Sequence, residues 1–329
     1  MRTLPVITND EEAARLLERA LLGLLVPEGC TLELKGWPTV EIKLTGSIYH
    51  GTITAATAKA LIEMQQAVDR AYLRLMRPNA TRLNAEERRK TAITAKVQPG
   101  SSLITVDLSA PLSQLVTELT AKMSPENIII TVLGLGLIGG ATVVAKHYIK
   151  TRAEQASKAN ELAAQVVMSQ EETKRLAVVT QAMGQRPDLA RAMDDFNDAR
   201  DAVLRSAVNA VSLNLDGVAL TGNQARQLYR EPRSASEEVR LDGVYLIGAV
   251  SWPAGADEVI LDLRAMDKTL EFRASLNTRS LLAQDRDLLA AAEWERTPIY
   301  LSINAKMLRG QVTKAVIVGF DWEALRQKA

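Results

Sequence analysis

Residues 124–145 read SPENIIITVLGLGLIGGATVVA, and this segment decides how the rest of the chain is interpreted. Its last 19 residues carry no charge. Ser124 can cap a helix, Pro125 suits the first helical position, and Glu126 complements the positive end of the helix dipole. Because no proline interrupts the run that follows, the sequence predicts one continuous helix over residues 125–145.

An apolar helix of this length has two interpretations. About 20 apolar residues are needed to cross the core of a bilayer, so the segment predicts a single membrane-spanning helix. Gly136 and Gly140, however, have the G-x-x-x-G spacing that lets two helix backbones approach closely. As helix-packing residues, they predict that the same segment is a buried seam between the subunits of a soluble homo-oligomer.

The glycines also form a dinucleotide-binding pattern, Gly134-Leu-Gly136-Leu-Ile-Gly139, which resembles the opening of prephenate dehydrogenases. The resemblance implies an NAD-dependent oxidoreductase. Binding of NAD requires a strand before the glycines and a second strand that carries an acidic residue about 20 positions later. Glu154 lies at about that distance, but its surroundings are helical in character. An NAD-dependent enzyme is therefore the third alternative, and no cofactor is predicted.

Residues 1–123 are predicted to form an α+β domain. Asn9 and Glu12 have the spacing of a capping box, which predicts an N-terminal amphipathic helix. Apolar and polar residues alternate over 40–44, as they do in a strand. The turn dipeptide at 99–100 separates two further apolar runs and predicts a β-hairpin.

The remainder of the chain is predicted to be helical first and rich in strands afterwards. An apolar, glycine-rich helix over 124–150 is followed by a helical stalk over 151–233, in which Ser169 and Glu172 form a second capping box. Residues 234–329 hold five strand-like runs and one short helix, a pattern typical of a small β-barrel or half-barrel. The predicted fold class is therefore α+β.

The register of one barrel hairpin can be deduced from its apolar residues, which must share the buried face. A turn at 267–268 satisfies this requirement and places Leu263 opposite Phe272. The exterior pairs that follow have opposite charges: Asp262 with Arg273, and Arg264 with Glu271.

Basic side chains of the barrel are the candidate contacts for a ligand. They recur at Arg264, Lys268, Arg273, Arg279, Lys306, Arg309 and Lys314. Positive charge of this kind suits a small anionic molecule such as a nucleotide. Acidic residues are interspersed, so a mixed-charge exterior is the alternative. The predicted ligand contacts are Arg264, Arg273, Lys306 and Arg309.

The composition disfavours several classes of function. A formal charge of +1 and an aromatic content of 4% argue against nucleic-acid binding. Cys30 is the only cysteine, so the chain holds no intramolecular disulfide or thiolate metal cage. His50 and His147 fall in different predicted domains, and the acidic run at 194–201 is interleaved with arginines. We therefore predict no catalytic residue and no metal site, and an enzyme is less expected than an interaction protein.

Charge around the apolar segment predicts an orientation in the membrane. The N-terminal residues lack the apolar core and cleavage site of a signal peptide. Lys122 precedes the segment, whereas several basic residues follow it at Lys146, Lys150, Arg152 and Lys158. The positive-inside rule places the C-terminal side in the cytoplasm. The predicted location is the cytoplasmic side of the inner membrane, attached by a single apolar helix.

Three stretches carry a family resemblance: WPTVEIKLTGSIYHGTIT, VQPGSSLITVDL and the C-terminal IYLSINAKMLRGQVTKAVIV. Together they resemble uncharacterised bacterial and prophage proteins that end in a five-stranded half-barrel. An apolar helix joined to a small barrel is also similar in architecture to bacterial antiviral membrane effectors, in which the barrel senses a nucleotide. The leading hypothesis is a non-catalytic, membrane-associated interaction protein, a sensor-effector whose barrel binds a ligand or partner.

Overall fold

The chain divides into two compact units, which are described separately. The computed structural model describes residues 6–24, 32–78, 80, 82–98, 102–156, 160–229, 237–253, 257–266, 270–308 and 311–320. Unit 1 comprises Met1–Met76 and Asn84–Pro232, and unit 2 comprises Arg77–Leu83 and Arg233–Ala329. Both helices and strands are present, so the predicted α+β class is confirmed.

Unit 1 combines helices with an antiparallel sheet. Its helices are α1 (Asp10–Leu21), α2 (Ala55–Met76), α3 (Ala85–Lys90), α4 (Ser109–Leu119), α5 (Pro125–Gly140), α6 (Thr142–Gln155), α7 (Asn160–Gln165), α8 (Gln170–Gln185), α9 (Pro187–Ser206) and α10 (Gly222–Leu228). Its strands are β1 (Thr39–Thr45), β2 (Thr94–Val97), β3 (Leu103–Asp107), β4 (Ser212–Leu215) and β5 (Val218–Thr221). The sheet order is β2-β3-β1-β4-β5, with every pair antiparallel.

Several local predictions in unit 1 are confirmed. The Asn9 side chain accepts a hydrogen bond from the backbone of Glu12 at the start of α1. Ser169 and Glu172 form the reciprocal capping box that opens α8. The hairpin expected around residues 99–100 exists as β2 and β3, although the turn itself lies outside the described residues.

Helix α5 lies at the centre of unit 1. Every residue from Ile128 to Gly140 is buried, on all sides of the helix. The surrounding elements are α1, α4, α8, α9 and β1. A helix that is apolar all round needs such a complete shell. The apolar segment therefore forms part of the core of unit 1.

The predicted continuous helix over 125–145 is wrong. Helix α5 ends at Gly140, Ala141 has an extended backbone (φ −78°, ψ 131°), and α6 begins at Thr142. In the part of the chain that the structure describes, no single helix is long and apolar enough to cross a bilayer. Helices α5 and α6 satisfy the length and composition criteria only as a pair, and they bend by 56° at the break.

Side chains from distant elements stabilise the break between α5 and α6. The buried Arg200 of α9 donates to the carbonyl oxygens of Ile138 and Gly139, which lie at the end of α5. Asp10 of α1 accepts from the backbone N–H of Thr142 at 3.2 Å. A cation thus meets the negative end of α5, and an anion meets the positive end of α6.

The glycines of α5 permit close packing within the chain itself. A Cβ at position 136 would lie 2.5 Å from the ring of Trp37, and one at position 140 would lie 2.8 Å from the carbonyl oxygen of Thr39. A subunit seam on this face would require α5 to leave these contacts. The dinucleotide interpretation is also wrong, because 134–139 lies inside a helix and the described strands of unit 1 are antiparallel.

The segment predicted as a stalk contributes to unit 1 in two ways. Helices α6, α8 and α9 pack against other elements of the unit. The sequence also failed to predict β4 and β5, which extend the sheet beside β1. Elements from the predicted segments 1–123, 124–150 and 151–233 therefore lie together in one compact unit.

Unit 2 contains six strands, five of which close into a barrel. Its strands are β6 (Glu237–Arg240), β7 (Gly243–Ser251), β8 (Glu258–Ala265), β9 (Glu271–Asn277), β10 (Ile299–Leu308) and β11 (Gln311–Phe320), with α11 (Ala283–Trp294) between β9 and β10. The order is β7-β8-β9-β11-β10, and β10 pairs back to β7. The predicted barrel is confirmed, and its connectivity is that of an OB-type barrel. Strand β6 continues the edge of β7 along β10 in the same register.

The predicted register of the β8–β9 hairpin is confirmed. Leu263 lies opposite Phe272 on the buried face. On the outside, Asp262 lies opposite Arg273 and Arg264 lies opposite Glu271. The alternation of apolar and polar residues was sufficient to determine this pairing.

Replacing Gly140 with alanine is expected to destabilise unit 1, because the added methyl group would meet backbone atoms of Thr39. The matched control is Gly184→Ala in α8, where a Cβ would have no neighbour within 4 Å. The free energy of unfolding of the control should rise by about 0.5–1 kcal/mol, since alanine favours the helical conformation more than glycine does. Urea denaturation measures both changes. A Gly140→Ala protein that is as stable as the parent would contradict the packing described here.

Candidate functional site: a cationic face of the barrel

The ligand contacts predicted from sequence lie on different parts of the barrel. Arg264 pairs with Glu271 at 3.6 Å and Arg273 pairs with Asp262 at 2.5 Å, on the outside of β8 and β9. The second and third strands of OB-type barrels often form the ligand surface. Glu271 also pairs with Arg77 at 3.7 Å, so each of these arginines already lies beside a carboxylate. Arg309 lies outside the described residues.

Lys306 is the predicted contact that lies in a concave surface. It is opposite Glu238 of β6 on one side and opposite Lys314 of β11 on the other. Because alternate residues of a strand point to the same side, the residues two positions away share this surface. The surface is called the cationic face below and consists of Glu238, Arg240, Asn304, Lys306, Lys314 and Val316.

The cationic face has two rows of side chains that cross the three strands. In the first row, the ammonium group of Lys306 lies 3.0 Å from the carboxylate of Glu238. In the second row, Asn304 lies between Arg240 and Val316. Arg240 donates to the amide oxygen of Asn304 at 2.9 Å and pairs with Asp242 at 3.0 Å. Lys314 forms no ion pair with any carboxylate of the described residues.

These side chains line a depression of about 370 Å³. Lys306 and Lys314 lie directly opposite each other on adjacent strands, where like charges repel. Glu238 offsets one of the two charges, so the first row retains a net positive charge. An anion between the lysines would convert this repulsion into attraction, and lysine ammonium groups bind phosphate readily.

Sequence reasoning singled out Lys306 but missed Arg240 and Asn304. Arg240 was not predicted as a ligand contact because its strand was not predicted: β6 reads EEVR, which lacks the alternation of apolar and polar residues typical of a strand. Lys314 was recognised only as one of several barrel cations. Its position opposite Lys306 depends on a bulge in the β10–β11 hairpin between Lys306 and Met307. A bulge shifts the register by one residue without a clear sequence signal.

The acidic run predicted to be non-metal-binding pairs with arginines on other helices. Asp195 is fully buried and lies 2.8 Å from Arg70, with Arg74 also in contact. Asp201 pairs with Arg152. Among the described residues, no group of three or more His, Cys, Asp or Glu side chains is placed to hold a metal ion.

A second group of buried polar residues surrounds the α5–α6 break. Asp216 has a positive φ of 48° and accepts a hydrogen bond from the backbone of Glu41 at 2.8 Å. Burial raises the pKa of Asp216 to about 7, although the hydrogen bond and the nearby Arg200 act in the opposite direction. Burial also raises the pKa of Asp10. Because these groups bond to backbone in the core, we assign them a structural role.

The raised pKa of Asp216 predicts how the stability of unit 1 depends on pH. A carboxyl group whose pKa is higher in the folded state than its ordinary value of 3.8 makes folding less favourable as pH rises from about 4 through 7. Asp216→Asn keeps an acceptor for Glu41 and tolerates the positive φ. Between pH 5 and pH 8, the free energy of unfolding should therefore fall more steeply in the parent protein than in this variant. The measurement is denaturation of both proteins at several pH values. The same pH dependence of the free energy of unfolding in parent and variant would argue against a buried, protonated Asp216.

Comparison with known proteins identifies no relative of this chain. No family model matches the sequence, and neither a curated protein nor a solved structure is significantly similar to it. The function must therefore be argued from the residues of the chain, and the cationic face of the barrel is the site that they favour.

Proposed function

We propose that the protein is a non-catalytic binding protein and that its barrel takes up a small anionic ligand on the cationic face. The observation that carries this proposal is the pair of lysines, Lys306 and Lys314, placed opposite each other beside a depression of about 370 Å³. A concave surface with convergent polar groups is the usual setting of a small-molecule site. The proposal keeps the predicted role of Lys306 and extends it to Lys314.

Charge on the face favours a compact ligand with one anionic group. The carboxylate of Glu238 lies 3.0 Å from the ammonium group of Lys306. It would therefore repel a second negative charge of a ligand bound there. Arg240 already interacts with Asp242 and Asn304. It therefore contributes positive charge near the ligand, and its N–H groups are not the main donors to it. The two lysines are therefore the groups expected to contact the anion.

Titration with inorganic phosphate, followed by calorimetry at low salt, tests the binding site. Lys314→Met should weaken binding by about tenfold or more, which corresponds to about 1.4 kcal/mol. Arg264→Met is the matched control, because it removes an equal charge from the exterior of β8, away from the cationic face. Higher salt should weaken binding in the parent protein. Equal affinity in the parent and Lys314→Met proteins would refute the site.

Membrane association is a second candidate function, favoured by the apolar character of α5 and α6 taken together. The pair passes the criteria for a span except for its 56° bend. Since α5 is buried in unit 1, insertion would require the helix to leave its shell and the pair to straighten. In that case the barrel and the helix pair would form the predicted sensor-effector.

A proline at position 142 separates the membrane hypothesis from its alternative. Ala141 has the extended backbone that precedes proline, and proline suits the first position of α6. Thr142→Pro is thus compatible with the bend, at the loss of one hydrogen bond to Asp10, but it disfavours a straight helix. If α5 and α6 insert together, the parent protein should float with vesicles that contain anionic lipid, and Thr142→Pro should float less. A parent protein that stays with the unbound fraction would eliminate this candidate.

A further inference from the structure

We propose that the ligand of the cationic face is a nucleoside monophosphate or a closely similar molecule, with one phosphate and an uncharged, hydrogen-bonding ring. This inference rests on the proposed function of the face. It is drawn from the chemical difference between the two rows of side chains, which line the same depression with unlike groups.

The first row is suited to a phosphate group. Lys306 and Lys314 approach from adjacent strands, so both ammonium groups can reach one anion between them. Glu238 occupies the far end of the row beside Lys306. The net charge of the row is that of a single cation, which matches one phosphate better than a chain of phosphates.

The second row is suited to an uncharged ring. The amide oxygen of Asn304 accepts from Arg240, which orients the side chain, and the NH₂ group is the donor that this lining residue can offer to a ligand. Val316, on the other side of Asn304, is partly buried and supplies an apolar surface. A donor beside an apolar patch can recognise the carbonyl or ring nitrogen of a base.

The spacing of the rows fits a molecule that carries both groups. Asn304 and Lys306 are two positions apart on β10, and Val316 and Lys314 are two positions apart on β11. Two residues of a strand span about 7 Å. A nucleoside monophosphate extends over a comparable distance from its phosphate to its base, whereas inorganic phosphate would occupy the first row alone.

The surrounding charges disfavour a longer nucleic acid. A polynucleotide requires a continuous track of cations for successive phosphates. On the outside of β8 and β9, Arg264 and Arg273 are each paired with a carboxylate. Glu238 interrupts the cationic face itself. These two parts of the barrel surface therefore offer positive charge for one phosphate and not for a strand.

Binding of AMP, UMP and inorganic phosphate, measured by NMR titration of the full chain, tests this inference. AMP or UMP should bind at least about fivefold more tightly than inorganic phosphate, because only the nucleotides reach the second row. Asn304→Ala should bring the nucleotide affinity to within about twofold of the phosphate affinity. The same variant should weaken the binding of inorganic phosphate by about twofold at most, since the two lysines of the first row are intact. Lys314→Met should weaken all three.

The outcomes separate this inference from the function on which it rests. If AMP and UMP bind no more tightly than inorganic phosphate, and Lys314→Met still weakens phosphate binding, the face binds anions but the ligand is not a nucleotide. If Lys314→Met changes none of the affinities, the face is not the anion site and both proposals fail. A single-stranded oligonucleotide that binds far more tightly than its mononucleotide would also overturn the inference.

Discussion

The burial of α5 on all of its sides is the constraint on which unit 1 depends. An apolar helix without a polar face is stable in water only when neighbours cover its whole circumference. Here four helices and one strand provide that cover. Close approach on one side is possible because Gly136 and Gly140 lack side chains, so Trp37 and the backbone of Thr39 can pack against the helix. A segment whose sequence is typical of a membrane-spanning helix thus lies at the centre of the core of unit 1.

A helix that ends inside a core leaves polar backbone groups that water cannot reach. Unit 1 meets this need with charged side chains brought from far along the chain. Arg200 binds carbonyl oxygens at the end of α5, and Asp10 binds the first N–H group of α6. Leaving such buried groups without partners would cost on the order of 1–3 kcal/mol each. The polar residues near the break therefore stabilise the fold.

The sequence predicted those features that depend on local pattern. Caps at Asn9 and Ser169, and the β8–β9 register that pairs Arg264 with Glu271, follow from spacing and alternation alone. The break at Ala141 did not, because its partners are distant in sequence. Strands β4 and β5 were not predicted because they lie in a stretch that was predicted to be helical. Strand β6 was not predicted because its residues are mostly charged. For the same reasons sequence reasoning identified one side of the cationic face and missed the residues that complete it.

Hydrogen–deuterium exchange of the backbone amides tests the central claim most directly. If α5 is the core of unit 1, the amides of Ile129–Leu137 should exchange only when the whole unit unfolds, and more slowly than those of the peripheral helix α3. Their exchange should also match the free energy of unfolding measured by denaturation. Fast exchange of these amides in folded protein, at the rate of exposed helices or faster, would show that α5 is not held in the core and would contradict this account.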